Sequence, residues 1–344
     1  MGLFNFLKNE IAIDLGTANT LIIHEGKVAV DQPSIVARNR RTEEIIAVGE
    51  KAMQMHGKTH LEVETIRPLK DGVIADFKAA EAMIKEMIKM IRKGKKGFTG
   101  NNNVMVICIP SGITEVEKRA VFDSAEKAGA KERYLIYEPM AAALGIGLDV
   151  EAPIGNMIID IGGGTTEIAV ISLSGIVSNQ SINIAGDEFT HDIIDYMRRQ
   201  HNLLIGERTA ENIKINIGSA QQTLDNPPED YPVNGRDLMS GVPKQIFVNY
   251  TEIASALDNS IAQIEDSIMK ALEDTPPELA SDIFKRGIYL TGGGALLRGL
   301  DDRIRKRTKL SCHVAEDPLR NVVSGTSIAL KGRERYKHSI LMNK

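Results

Sequence analysis

A chain of 344 residues, 42% of them hydrophobic, is long enough to bury two cores, so two domains are expected. Its formal net charge of −4 lacks the basic excess that nucleic acid selects, and no nucleic-acid partner is expected. Two cysteines, Cys108 and Cys312, without CxxC or Cys/His spacing, point to a reducing compartment and exclude an ordinary zinc site.

At the start, GLFNFL is broken by Asn5 and followed by Lys8 and Glu10, and no apolar run in the chain approaches the roughly 20 residues of a membrane span. Phe6 stands where a myristoylation signal carries Ser or Thr. At about 100° per residue, Leu3, Phe4, Phe6 and Leu7 fall within an arc of about 160°, an amphipathic turn or two; a tail with apolar residues by chance is the alternative. The runs EIAIDLG, TLIIHEG and KVAVDQPSIVAR then read as strands separated by glycine turns. Phe77 to Arg92 follows a helical period, with Phe77, Ala80, Ile84, Met87, Ile88 and Ile91 on one side. After the buried-type strand NVMVICIP comes a helix whose Thr114 and Glu117 fit a capping box and whose Gly129 fits a stop.

NMIIDIGGG and TEIAVISLSGIV form a second strand pair. A polar helical region follows, then the Pro-rich acidic stretch DNPPEDYPVNG as an exposed loop, then a long helix from Asn249 to Asp274. RGIYLTGGGALLRGL reads as strand, glycine loop and helix, and a short helix closes the chain. The alternation predicts an α/β protein.

The informative feature is a repeat. IAIDLGTANTLII aligns with MIIDIGGGTTEIAVI, matching Asp14 to Asp160 and Gly16 to Gly162, so two domains of one topology are expected. Each copy is an apolar strand ending in Asp, a turn of small residues, and a second strand. Such a turn aims backbone N–H groups into one concavity that suits phosphate oxygens, and bare backbone at Gly162, Gly163 and Gly164 would let phosphate approach. One such hairpin alone reads equally well as an ordinary glycine turn; duplication with Asp at the same place favours a polyphosphate clamp. Asp14 and Asp160 would hold Mg²⁺ through water, because Mg²⁺ gives up its hydration shell reluctantly. No P-loop motif occurs.

The third glycine cluster, from Leu290 to Leu300, is expected to place a planar base against bare backbone where a helix begins. In GERTAENIKINIG, Glu211 and Lys214 share a helical face, where they suit either ribose and base contacts or a surface ion pair.

Together, the two Asp-Gly hairpins, IYEPMAAALG between them and LTGGGALLRGLD near the end resemble the actin/Hsp70/sugar-kinase superfamily of ATP-binding proteins. IDLGTANTLI, IRPLKDGVIADF, GDEFTHDIIDYMR, GERTAENIKINIG and TPPELASDIFKRGIYLTGGGALLRGLD resemble segments of its bacterial actin family, MreB, from Ile11 to about Leu330. The resemblance implies an actin-like, duplicated ribonuclease-H-like α/β fold around a central cleft holding ATP or ADP and Mg²⁺. Its first domain would span 1–150 with an insert at about 33–68, its second 151–317 with an insert at about 186–243, and 318–344 would return to the first. It places Asp14, Thr17, Ala18 and Asn19 in the first phosphate loop and Asp160, Gly162, Gly163, Gly164 and Thr165 in the second. Glu211 and Lys214 fall at ribose and base, Gly292, Gly293, Gly294 and Ala295 at the adenosine. Glu138 falls where a carboxylate orients the attacking water, which suits a residue just before Pro139 with small residues behind it; an ordinary helix-start carboxylate is the alternative.

The family's partners imply self-assembly into head-to-tail filaments paired antiparallel, the inner membrane surface, and membrane-bound wall-synthesis and adaptor proteins. A cytoplasmic protein, peripheral on the inner face of the membrane, is expected. The membrane-facing loop of the family often carries two large apolar residues, whereas GKKGFTGNNN offers only Phe98, flanked by Lys95 and Lys96. The methionines at 83, 87 and 90 suit either the paired-filament contact or the core. A small-molecule kinase or a chaperone-type ATPase of the same superfamily are the other readings. The first wants a catalytic Asp for a substrate hydroxyl, and the second a peptide-binding domain beyond about Leu330.

Overall fold

In the computed structural model, which describes residues 9–92 and 103–342, the predicted alternation becomes two large sheets, three small ones and the helices covering them. The apolar run before Gly16 forms β1 (Asn9–Leu15), followed by β2 (Asn19–His24) and β3 (Lys27–Pro33). The continuous apolar sequence of β4 (Asn103–Ile109) is buried on both faces, as a parallel interior strand requires, and β5 (Ala130–Tyr137) lies beside it. The second half repeats this with β6 (Asn156–Ile161), β7 (Thr166–Ser172), β8 (Gly175–Ile182), β9 (Ile288–Thr291) and β10 (Cys312–Val314); β11 (Ile340–Met342) ends the series.

The spatial orders are β11-β5-β4-β1-β2-β3 and β8-β7-β6-β9-β10. Each sheet is an antiparallel meander continued by parallel strands, the first closed by an antiparallel β11 at its edge, and β1 and β6 occupy the same place. Asp14 pairs with Leu21 on one side and Cys108 on the other; Asp160 pairs with Glu167 and Thr291. The sequence repeat is therefore a repeat of register.

Among the helices, α1 (Phe77–Arg92) buries Ala80, Met83, Ile84, Met87, Ile88 and Ile91 against the first sheet, so two of the three methionines belong to the core. The capping box at Thr114 and Glu117 starts α2 (Glu115–Lys127), and Gly129 follows its end at φ 98°. Next come α3 (Glu138–Ile146), α4 (Gly186–His201), α5 (Glu207–Ile217) and the long α6 (Tyr250–Glu273). Beyond the expected elements there is α7 (Pro277–Arg286), opened by a proline whose missing N–H is harmless in a first turn. The last two are α8 (Leu300–Thr308) and α9 (Asn321–Lys331).

Two small sheets interrupt the halves. Strands Val36–Asn39, Ile45–Val48 and Val63–Ile66 with a short helix at Glu50–Met55 have their own core of Ile35, Ala37, Ala52 and Val63. The other combines Leu203–Leu204, Tyr231–Asp237 and Pro243–Val248, and so runs a few residues past the expected boundary at 243. Tyr231 to Gly235, expected in a loop, are strand. Pro232 is tolerated there because it faces Phe247 on one side only, the strand Leu203–Leu204 reaching no further than Arg236.

At the end of the described chain, α9 lies across α3 and beside β1 and β4, burying Val323, Ala329 and Leu330 in a core with Ala12 and Val106, while β11 pairs with β5. Glycines permit this crossing. A Cβ on Gly325 would overlap the Ala141 carbonyl and one on Gly145 that of Asn321, while Asn321 Nδ2 donates to the Ala142 oxygen at 3.0 Å. Gly325→Ala should therefore destabilise the protein by about 1–3 kcal/mol or more, as overpacking does, read as a lower urea midpoint. An unchanged midpoint would contradict this packing.

Candidate functional site

Both repeated hairpins end at one place, where the two halves meet and a cleft is expected. Their turns close alike: a Cβ on Gly16 would sit 2.7 Å from the Asn19 carbonyl oxygen, and Gly162 N–H donates to the Thr165 oxygen at 2.9 Å. The turns also touch each other. A Cβ on Gly163 would lie 2.7 Å from that of Ala18, and one on Gly164 2.7 Å from Thr17 Oγ1 and 3.0 Å from the Asp71 nitrogen. At these two glycines the facing turn is a second reason for bare backbone, beside the expected approach of phosphate. Close contact of the halves itself excludes a side chain there. Gly162 keeps a looser neighbourhood, its Cβ position meeting only the Thr165 oxygen at 3.4 Å.

A third element enters between the turns, unassigned from the sequence. Asp71 and Gly72, at φ 51° and 75°, make the left-handed turn of a small hairpin, and Gly72 N–H donates to Thr17 Oγ1 at 3.0 Å. A Cβ on Gly72 would lie 2.7 Å from Pro110 and 3.1 Å from Thr165. Asp-Gly between Leu69-Lys70 and Val73-Ile74 was the available signal.

Four carboxylates gather at the cleft floor. Asp14 and Asp160 end β1 and β6, Glu138 opens α3 with Pro139 behind it, and Glu167 lies beside Asp160 in β7. Burial pushes Asp14 up to about 6, against an opposing hydrogen bond donated by Cys108 Sγ at 3.1 Å. Burial, then Asp14, then Glu167 push Asp160 up to about 8. Glu138 is raised well above the ordinary range by burial and by Glu167, Asp160 and Asp14. Glu167 was not anticipated; in sequence it is one polar residue in TEIAV, and only the register brings it to the site.

Among the described residues no three acidic, histidine or cysteine side chains stand close enough to enclose a metal directly, so a divalent cation such as Mg²⁺ would be held here through its water shell, its charge offsetting that of the carboxylates. Asp14 and Asp160, one from each half, are the residues that would hold it.

Glu211 and Lys214 come together on α5. Lys214 Nζ contacts Glu211 Oε2 at 2.7 Å and donates to the Gly186 oxygen at 2.7 Å and Thr190 Oγ1 at 3.0 Å, while Thr190 Oγ1 donates to Glu211 at 2.8 Å. The pair is therefore tied to the segment leaving the second hairpin rather than free on the surface. The segment after Gly292 packs along the end of α5, where Arg298 Nη1 donates to the Gly218 oxygen at 3.3 Å. Here the expected helix start is corrected: Gly293 to Leu296 form one 3₁₀ turn, and α8 begins only at Leu300. Gly292, at φ 79°, is needed for packing, since a Cβ would overlap the Ile161 carbonyl and Asp160; one on Gly294 would overlap the Ile161 side chain. Ala295 is buried beside them, and Asn19 is exposed at the first turn. Leu3, Phe4, Phe6, Leu7 and Phe98 lie outside the described residues.

Comparison with known proteins matches residues 8–338 to the MreB/Mbl protein family. The chain belongs to the MreB/Mbl family. It is 46% identical over 327 residues to the cell shape-determining protein Mbl of Bacillus subtilis, covering 95% of this chain and 97% of that one. To the cell shape-determining protein MreB of Escherichia coli it is 48% identical over 328 residues, covering 94% and 93%. The crystal structure of MreB5 of Spiroplasma citri bound to AMPPNP superposes with a TM-score of 0.90 at 40% identity, covering 95% and 97%. As in other MreB/Mbl proteins, the fold is actin-like.

The carboxylate cluster makes a pH prediction for this MreB/Mbl protein. Asp14 and Asp160 bind protons more tightly folded, at about 6 and about 8, than at the ordinary 3.8. Through that interval the native state holds more protons than the unfolded one, so stability falls as pH rises. With chelator and without nucleotide, the melting temperature should drop between about pH 4 and 8, and less so in Asp160→Asn. A flat profile, or one identical in the variant, would contradict the cluster.

Proposed function

We propose that this MreB/Mbl protein is an ATP-hydrolysing bacterial actin whose head-to-tail filaments, paired antiparallel, lie on the inner face of the membrane and organise wall synthesis to maintain rod shape. The reading rests chiefly on one observation, the meeting of two Asp-ended hairpins over a floor of carboxylates. Support comes from relatives named cell shape-determining proteins and from MreB5 structures with AMPPNP and with ADP. Membership of the MreB/Mbl family disfavours the small-molecule kinase.

Within the cleft, the turns at 16–19 and 162–165 would grip the phosphates, Glu211 and Lys214 the ribose and base, and the Gly292 segment the adenosine. Bound Mg²⁺ would supply positive charge to the phosphates. Glu138 would accept a hydrogen bond from a water and aim its oxygen at the terminal phosphate, a task needing position more than covalent chemistry. Glu138→Ala should keep ATP and still pellet as polymer while releasing phosphate about 10²-fold more slowly. Wild-type release by the variant would remove Glu138 from the chemistry, and failure of the wild type to pellet with ATP would remove the filament.

Membrane attachment would come from Leu3, Phe4, Phe6 and Leu7, with Phe98, Lys8, Lys95 and Lys96 adding contacts. Burying each large side chain is worth at most ~1.5–3 kcal/mol before ordering costs, so monomers would bind weakly and polymers by avidity. Phe4→Ser with Phe6→Ser should leave polymerisation intact and release filaments from anionic vesicles in co-sedimentation. Undiminished binding would move the anchor to Phe98 or a protein partner.

A further inference from the structure

Glu167 is fully buried, and its carboxylate is spanned by donors from both halves of the molecule. Ser111, in the segment that leaves β4 of the first sheet, donates its N–H to Glu167 Oε2 at 3.0 Å and its hydroxyl to the same oxygen. Ser181, on β8 of the second sheet and directly across from Glu167, donates its hydroxyl to Oε1 at 2.5 Å. Asn179 Nδ2 donates to Ser111 Oγ at 3.3 Å, and a Cβ on Gly112 would lie 3.2 Å from that of Ser181.

The fold itself does not require a carboxylate here. In the twin hairpin the equivalent place opposite Asp14 is held by Leu21, buried at 6% exposure. Burying a carboxylate costs several kcal/mol unless it is fully hydrogen-bonded, and this one is spanned by donors from two sheets. Neighbouring contacts lead from it to the phosphate turns: Pro110, next to Ser111, abuts Gly72, which is bonded to Thr17 and packed on Thr165.

We infer that Glu167 is a positioning residue that ties the Ser111 segment of one half to β7 and β8 of the other, holding the two phosphate turns in the register at which Glu138 can act. The inference rests on the ATPase reading above for its kinetic consequence. The tie is a matter of hydrogen-bond geometry, so an amide serves. In E167Q the amide oxygen would accept from Ser111 and the amide nitrogen would donate to Ser181, whose hydroxyl can reverse, whereas the leucine side chain of E167L accepts nothing.

The test uses the full chain with E167L, E167Q and, as a milder change, S111A. E167L should lower phosphate release at saturating ATP about tenfold while the Kd for AMPPNP stays within about threefold, with E167Q recovering most of the rate and S111A falling between. In nucleotide-free protein, hydrogen exchange at Ser111 should quicken about tenfold in E167L and return to near wild type in E167Q. The inference is overturned if E167Q is as slow as E167L, if affinity falls in step with rate, or if E167L behaves as wild type. Exchange at Ser111 that responds to E167L in a protein hydrolysing no ATP would remove the proposed function and leave the tie; exchange indifferent to E167L would remove the tie itself.

Discussion

The withdrawal of carboxylates from water where the two halves meet is the constraint on which this molecule turns. Asp14, Glu138, Asp160 and Glu167 come from strands and a helix of both halves; burial makes each of the first three hold its proton more tightly, and repulsion from neighbouring carboxylates adds to this at Glu138 and Asp160. Folding apolar strands alone would favour none of this, because buried charge without a counterpart is expensive. The arrangement is tolerable when protons or a cation share the site, which links the stability of the free protein to the ligand it would hold. Contacts that keep the halves together, at Gly163 with Ala18, Gly164 with Thr17 and Glu167 with Ser111, oppose the same repulsion.

Duplication supplied the frame and divergence the chemistry. Both sheets share strand order, register and an Asp at the end of the central strand. At equivalent places they then differ: Leu21 in the first stands where the second has Glu167, and Cys108 beside Asp14 where the second has Thr291 beside Asp160. The interior of the second hairpin is the more polar, and Glu167 bonds both across to Ser111 of the other half and to Ser181 of its own sheet. Rim contacts continue that pattern, with His56 Nε2 3.2 Å from Glu207 between the two small inserts.

Much of this was legible in the sequence, for identifiable reasons. β4 and the two Asp-ended strands are continuous apolar runs bounded by glycine or proline, and the Thr114 capping box is a local signal resolved within one turn. Features depending on distant partners were not. Gly163 and Gly164 read as a phosphate cradle, and nothing local reveals that Ala18 and Thr17 also press against them. Glu167 was not singled out, because TEIAV does not show that its strand is buried on both faces. The strand at Tyr231–Asp237 hid behind Pro232 and Gly235, the proline tolerable because the neighbouring strand is so short. Gly292 and Gly294 read as a ligand platform, and only the fold reveals that their bareness also admits the end of β6.

The convergence of the two hairpins on a polyphosphate is tested most directly by a crystal structure of the protein grown with AMPPNP and magnesium. The phosphates are expected between the turns at 16–19 and 162–165, with the cation over Asp14 and Asp160 and a water between Glu138 and the terminal phosphate. Phosphates bound away from these turns, or a cation that leaves Asp14 and Asp160 without a counter-charge, would contradict the cleft as the seat of function.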